Sequence, residues 1–215
     1  MRNATVRFGE RLRAIRFEGA RAAELEFEAG REALAGDDAV VIAVPPRTAQ
    51  DLLPGVEAPD EFRAIVNAHF RIAPPQGQPP LLGVVNGLTE WLFAYPGHLS
   101  TTISAADRLL DRPREELAAE IWREAAALTG LPPHMPPWQI VKEKRATFAA
   151  TPAQNAKRPP SRTRWDNIAL AGDWTQTGLP ATIEGAARSG YKAASIIVGM
   201  RGSAPQARIA AGVSR

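Results

Sequence analysis

The chain has 215 residues, of which 45% are apolar and 23% charged, and its net charge is +3. This length allows one or two domains with a buried core. The absence of cysteine excludes disulfides, thiol catalysis and thiolate metal sites. Acidic residues are dispersed among the basic ones, so we expect no nucleic-acid partner. No apolar run is long enough to predict a membrane-spanning helix or, at the start, a signal peptide. We therefore expect a cytoplasmic protein.

The first quarter of the chain predicts a hairpin, a strand and a short helix. Residues 10–27 alternate apolar and polar side chains on both sides of Gly19, as in a hairpin. Residues 38–44 form a short apolar run that indicates a buried strand, and Pro45-Pro46 ends it. A short helix is expected over residues 47–53.

The middle of the chain mixes predicted helices and strands. A short helix is expected over residues 60–68, with a strand over 69–72. The clearest amphipathic helix covers residues 111–129, with Asp111 as its expected cap and Gly130 after its end. Further strands are predicted at residues 81–85, 91–95, 99–104 and 138–148. Residues 151–164 are expected to be irregular and basic.

Residues 167–194 read as a strand, a polar turn and a helix. The apolar strand Ile168–Ala171 ends at Gly172-Asp173, where the backbone can approach a ligand and a carboxylate can accept hydrogen bonds from hydroxyl groups. Pro180 suits the first helical position, because it has no N–H to leave unpaired. The next amides, of Ala181, Thr182 and Ile183, would then point out of the helix start and form a site for an electron-rich oxygen or an anion. Spacing alone also fits an ordinary strand–turn–helix unit.

The residues of this segment carry a resemblance to a known family. The run Leu-Ala-Gly-Asp-Trp-Thr, followed by Thr-Gly-Leu-Pro-Ala-Thr-Ile-Glu-Gly-Ala and Ser-Gly, closely resembles the C-terminal flavin-binding motif of the amine oxidase and phytoene desaturase superfamily. It is most similar to the squalene-associated FAD-dependent desaturases, a branch that includes the hydroxysqualene dehydroxylases of hopanoid synthesis. The resemblance covers residues 1–200.

The resemblance implies an α/β to α+β fold, the C-terminal half of an FAD/NAD(P)-binding flavin oxidoreductase. Residues 1–55 and 151–200 would belong to the FAD-binding domain. Residues 56–150 would form a substrate-binding domain with a mixed sheet. Residues 201–215 are expected to be a disordered tail.

The resemblance also implies FAD as the cofactor. Gly172 and Asp173 would meet its ribityl or diphosphate part, although Asp173 can instead cap the turn. The amides of Ala181, Thr182 and Ile183 would face the pyrimidine edge of the flavin ring. Trp174 would line the flavin or the pocket, with core packing as an equal alternative, and the backbone near Leu12 would face the adenine.

The glycine motif that opens this superfamily is missing. No two of the 17 glycines fall in a Gly-x-Gly-x-x-Gly pattern after a strand. We therefore expect that a separate N-terminal half would have to supply the diphosphate and ribose contacts. A truncated gene, a misassigned start and a split gene all remain open, as does a non-catalytic remnant.

Catalytic residues cannot be named from the sequence. The three histidines share no metal-ligand spacing, and no Gly-x-Ser-x-Gly elbow supports hydrolase chemistry. Trp91, Phe93 and Tyr95 alternate in a predicted strand, either as sheet core or as one wall of an apolar tunnel.

The function that the resemblance implies is oxidoreduction of an isoprenoid lipid, first of all reductive dehydroxylation of hydroxysqualene to squalene. Carotenoid-type desaturation and amine oxidation are alternatives. A lipid substrate would favour peripheral contact with the inner face of the membrane.

Overall fold

The computed structural model describes residues 4–202, which divide into two compact units. The first contains the described residues up to Asp60 and from Ala150 onward, and the second is Glu61–Ala149. Of the tail expected to be disordered over residues 201–215, residues 201 and 202 are instead the end of a helix, and residues 203–215 lie outside the described part. No helix between residues 4 and 202 combines the length and apolar content needed to span a bilayer.

The first unit contains two small sheets. An antiparallel sheet is formed by β1 (Leu12–Glu18), β2 (Arg21–Phe27) and β3 (Gly30–Ala33). The hairpin is confirmed, and the third strand adds to it. The second sheet is a parallel pair, β4 (Val40–Ile42) and β10 (Ile168–Leu170).

Three helices belong to the first unit. They are α1 (Pro46–Leu52), α3 (Pro152–Ala156) and α4 (Ile183–Gly202). α1 begins at the second proline of the predicted turn, where a missing N–H costs nothing. The short helix α3 lies within the segment expected to be irregular. Buried Ala193 of α4 packs against Ala169 and Ala171 of the β10 segment.

The second unit is a five-stranded sheet covered on one face by a helix. Its strand order is β6 (Leu81–Gly83), β7 (Trp91–Tyr95), β8 (His98–Ile103), β5 (Phe62–Phe70) and β9 (Trp138–Phe148). Every neighbouring pair is antiparallel, whereas a mixed sheet was expected. The helix α2 (Arg114–Thr129) and a short 3₁₀ helix (Ala106–Leu109) complete the unit.

The core of this unit explains one wrong prediction. The helix expected over residues 60–68 is instead part of β5, where Ala64, Val66, Ala68 and Phe70 alternate as buried side chains. This period of two fits a strand. Val66 and Phe70 share one core with Leu117, Ile121 and Trp122 of α2.

The predicted helix α2 is confirmed, with two corrections. It begins at Arg114 after Pro113, so Asp111 lies too far upstream to cap it. Leu128, expected on its apolar stripe, is exposed. Gly130 ends the helix in the left-handed conformation, which glycine adopts at little cost.

Candidate functional site: the Gly172–Ile183 turn and the open sheet face

The segment between β10 and α4 is fixed at its first residue by a tryptophan. Gly172 has φ +145°, and a Cβ added there would lie 2.3 Å from Trp174 Nε1. Trp174 is 3% exposed, and its Nε1 donates a hydrogen bond of 3.0 Å to the Val44 carbonyl. Only glycine fits at position 172, because both its conformation and the space beside it exclude a side chain. Trp174 thus connects this turn to the end of β4.

The helix α4 holds the same turn from the other side. Ser189 Oγ accepts a hydrogen bond of 2.7 Å from the Gly172 N–H and donates one to the Ala186 carbonyl. A serine within a helix can bond back to the preceding turn in this way. The Gly172 amide is therefore directed at the helix and is not a donor for a ligand.

A buried arginine supports the rest of the turn. Arg158 is 5% exposed, and its Nη2 donates to the Asp173 carbonyl at 2.9 Å and to Thr177 Oγ1 at 2.7 Å. Its Nη1 donates to Asn155 Oδ1 at 3.3 Å. Burial lowers the pKa of Arg158 from its ordinary value, and the negative charge of Asp173 opposes that shift. Arg158 is not among the predicted site residues, since the sequence alone does not reveal which acceptors surround its side chain.

The start of α4 differs from the prediction. The helix begins at Ile183, so Pro180 lies before it and is not its first residue. Thr182 caps the helix, because its Oγ1 accepts a hydrogen bond of 3.0 Å from the Gly185 N–H. Ala181 and Thr182 therefore lie in the bend, and Ile183, whose side chain is 92% exposed, opens the first turn.

These positions leave a surface that fits part of a flavin. Asp173 is half-buried, while Thr182 and Ile183 are exposed, so a carboxylate and the start of a 20-residue helix are accessible near one turn. Such groups suit the hydroxyl groups and the electron-rich ring edge of FAD. The glycine turn for the diphosphate is absent from the sequence. Leu12 lies in β1, half-buried opposite Phe27.

Two cavities of the first unit lie elsewhere. One of about 340 Å³ is lined by Lys157, Arg158, Arg164 and Trp165 among others. The other, of about 550 Å³, includes Asp38 and Asn167. Gln176 is the one residue of 172–183 that lines either of these two cavities, so the predicted flavin contacts Asp173, Ala181, Thr182 and Ile183 lie outside both. No three His, Asp or Glu side chains among residues 4–202 are placed to hold a metal ion.

A second candidate site is the face of the five-stranded sheet opposite α2, which we call the open face. Its side chains alternate with those of the core along each strand. Trp91 is 45% and Tyr95 44% exposed, so these aromatics belong to the open face and not to the sheet core. The indole of Trp91 lies over Gly83, where an added Cβ would be 3.3 Å from the ring.

Polar side chains occupy the centre of the open face. His69 Nδ1 lies 2.8 Å from Ser100 Oγ, and Thr102 Oγ1 donates to Asn67 Oδ1 at 2.7 Å. Burial, followed by the nearby charge of His98, lowers the pKa of His69. The sequence did not single out these residues, because β5 was expected to be a helix over most of its length.

The comparisons with known proteins agree with the terminal motif. The family profile described as flavin containing amine oxidoreductase matches residues 1–198. The chain is 59% identical over 199 residues to hydroxysqualene dehydroxylase of Rhodopseudomonas palustris, with 92% of this chain and 47% of the relative covered. It is 57% identical over 195 residues to the Sinorhizobium fredii protein of the same name, with 91% and 47% covered. The chain thus spans about half the length of these relatives.

Solved structures share the fold. An oxidoreductase of Methanosarcina mazei aligns with a TM-score of 0.64 at 15% identity, covering 87% of this chain and 49% of that one. Iminodiacetate oxidase of Chelativorans aligns with a TM-score of 0.55 at 14% identity, covering 86% and 48%. At these identities the likeness concerns the fold alone.

Proposed function

Because the chain belongs to the flavin containing amine oxidoreductase family, we propose that it forms the C-terminal half of an FAD-dependent hydroxysqualene dehydroxylase. The proposed reaction removes the hydroxyl group of hydroxysqualene reductively and yields squalene. The observation that carries the proposal is the 47–59% identity to three relatives of that name over at least 91% of this chain.

The first unit would hold part of the cofactor. The Asp173 carboxylate would accept hydrogen bonds from flavin hydroxyl groups, and the amides of Ala181, Thr182 and Ile183 would face the pyrimidine edge of the ring. The positive end of the α4 dipole would then stabilise negative charge on the reduced flavin. The bound flavin would supply the redox chemistry, while the protein orients it. Gly172, Trp174 and Leu12 would shape this surface.

The rest of the cofactor site would come from the half of the domain that this chain does not contain, whether in the same polypeptide or in another. Two features support this. Among residues 4–202 the parallel sheet of β4 and β10 has only two strands, whereas sheets usually have about four to six strands and parallel sheets normally have both faces covered. In addition, α4 exposes Ile183, Tyr191 and Val198, at 92%, 78% and 71%, on one side of the helix.

The second unit would bind the substrate, with residues Glu61–Ala149 forming the substrate-binding domain. Its open face offers exposed aromatic side chains for an isoprenoid chain. Peripheral contact with a membrane is a further part of the proposal. A lipid substrate and the exposed basic residues Arg162 and Arg164 favour it.

The proposal can be tested by combining this chain with the complementary half of a relative. This chain would be co-produced with the complementary half of the Rhodopseudomonas palustris relative, and the purified complex would be examined for flavin absorbance and for squalene formation from hydroxysqualene under reducing conditions. The proposal predicts both. A complex that binds flavin but forms no squalene would contradict the substrate, and a complex without flavin would favour a non-catalytic remnant.

A further inference from the structure

We propose that the open face of the second unit is a binding site for an uncharged isoprenoid alcohol, with Asn67 and His69 hydrogen-bonding its hydroxyl group and Trp91, Phe93 and Tyr95 contacting its chain. This inference rests on the proposed function and deepens it, since it states where and by which groups the alcohol is recognised. The first observation that supports it is the register of the strands.

The register arranges the open face in two rows that run across the strands. One row follows the pairings of β6, β7, β8, β5 and β9 through Leu81, Phe93, Ser100, His69 and Gln139. The neighbouring row runs through Gly83, Trp91, Thr102, Asn67 and Val141. In both rows an aromatic side chain of β7 stands beside a hydroxyl group of β8, which stands beside an imidazole or amide of β5.

The open face is therefore divided by polarity. Its β6–β7 side carries Leu81 and the three aromatics, and the rings of Phe93, Tyr95 and His98 follow one another at centroid distances of 6.3 and 4.7 Å. Its β8–β5 side carries hydroxyl, amide and imidazole groups. A long apolar molecule with one small polar group matches this division, because its chain would contact the aromatic β6–β7 side and its polar group the β8–β5 side.

Neither row contains Asp, Glu, Lys or Arg; Arg71, which lines a cavity with His69 and His98, and Glu143, which pairs with Ile65, lie just beyond the rows. A phosphate or ammonium head bound within the rows would lose hydration without gaining a charged partner there. A hydroxyl group needs only neutral donors and acceptors. Asn67 uses Oδ1 to accept from Thr102, which leaves its Nδ2 group as a donor.

His69 can complete the recognition of the hydroxyl. Its Nδ1 is engaged with Ser100 Oγ, so Nε2 is the ring nitrogen available to a ligand. If Ser100 donates to Nδ1, Nε2 carries the proton and donates; in the other tautomer Nε2 accepts. A hydroxyl group can serve either arrangement. The lowered pKa of His69 keeps this ring neutral near pH 7, which suits an uncharged ligand.

The test uses the whole chain without flavin and two probes, farnesol and the hydrocarbon farnesene. Nuclear magnetic resonance would follow the Trp91 indole and His69 ring signals during titration. We expect farnesol to shift both signals and farnesene to shift only that of Trp91. If farnesol left the His69 signal in place, or if neither probe moved the Trp91 signal, the proposed site would be wrong.

Variants separate the hydroxyl contact from apolar binding. We expect His69→Leu and Asn67→Leu each to weaken farnesol binding by about 3- to 10-fold, the range of one neutral hydrogen bond, with farnesene binding unchanged or tighter. His134→Leu, the same substitution at an exposed loop position, should alter neither. Equal losses for both probes would overturn the assignment.

The outcome can be separated from that of the proposed function. Flavin uptake by the complemented protein without any preference of this face for the alcohol would remove only the present inference. Selective binding of farnesol by a chain whose complemented form takes up no flavin would remove only the proposed function.

Discussion

Trp174 donates a hydrogen bond of 3.0 Å to the Val44 carbonyl and thereby joins the turn after β10 to the end of β4. Its ring also fills the space that any side chain at position 172 would need. Trp174, which the motif predicts as a flavin contact, is thus 3% exposed and fixes the turn through its contacts with Gly172 and Val44. Whether it also touches the flavin stays a prediction.

Gly172→Ala should destabilise the protein. The added Cβ would lie 2.3 Å from Trp174 Nε1, and the residue would keep a φ of +145°. Strain and overpacking of this kind cost about 2 kcal/mol or more, which a urea unfolding curve would detect. Gly190→Ala is the matched control, since its Cβ meets nothing within 4 Å. The control should leave stability unchanged or raise it by up to about 1 kcal/mol. Equal stability of the Gly172 variant and the parent would show that the turn is not fixed in this way.

Arg158→Met should lower the free energy of unfolding, although it removes only one charge. The change removes the donor to the Asp173 carbonyl and one of two donors to Thr177 Oγ1, which keeps the Leu179 N–H, for an expected loss of about 1 to 3 kcal/mol. The control is Arg188→Met, which breaks the exposed pair with Glu184 on α4 and should cost about 0.5 kcal/mol at most. Thermal or urea unfolding of both variants measures the difference. Similar small losses would mean that Arg158 does not support the turn.

His69 should make the protein sensitive to mild acid. Its pKa in the folded protein lies below the ordinary value of 6.5, chiefly through burial and secondarily through His98. The unfolded chain therefore binds the proton more readily, and stability falls as the pH drops through 6.5 towards the lower folded pKa. Comparison of unfolding midpoints at pH 7.5 and 5.5 should show a smaller loss for His69→Gln than for the parent. An identical loss would assign the sensitivity to other groups.

The terminal segment shows what sequence alone can establish. The specific order of Gly172, Asp173, Thr182 and the residues between them identified the family, and the comparisons confirm it. The position of the helix start was wrong, because proline suits the first helical position but the Thr182 hydroxyl caps the helix two residues later. Which amides meet the flavin depends on that difference.

The sheet of the second unit shows which features a sequence pattern does not reveal. Residues 62–70 place Ile65 between Ala64 and Val66, so the apolar run hides the alternation of a strand. Alternation did place Trp91, Phe93 and Tyr95 on one face, but it cannot tell which face a helix covers. That depends on how α2 packs, and the structure puts it on the opposite side.

Flavin retention by an Asp173 variant tests the central claim, that the Gly172–Ile183 turn is half of a flavin site. The parent chain and its variants would each be assembled with the complementary half of a relative, and the dissociation constant for FAD would be measured by fluorescence. We predict that Asp173→Ala weakens FAD binding at least about 10-fold, as expected for lost hydrogen bonds to a charged group. Asp51→Ala, at an exposed position of α1, should have no effect. Equal FAD affinity of the parent and the Asp173 variant would contradict the claim.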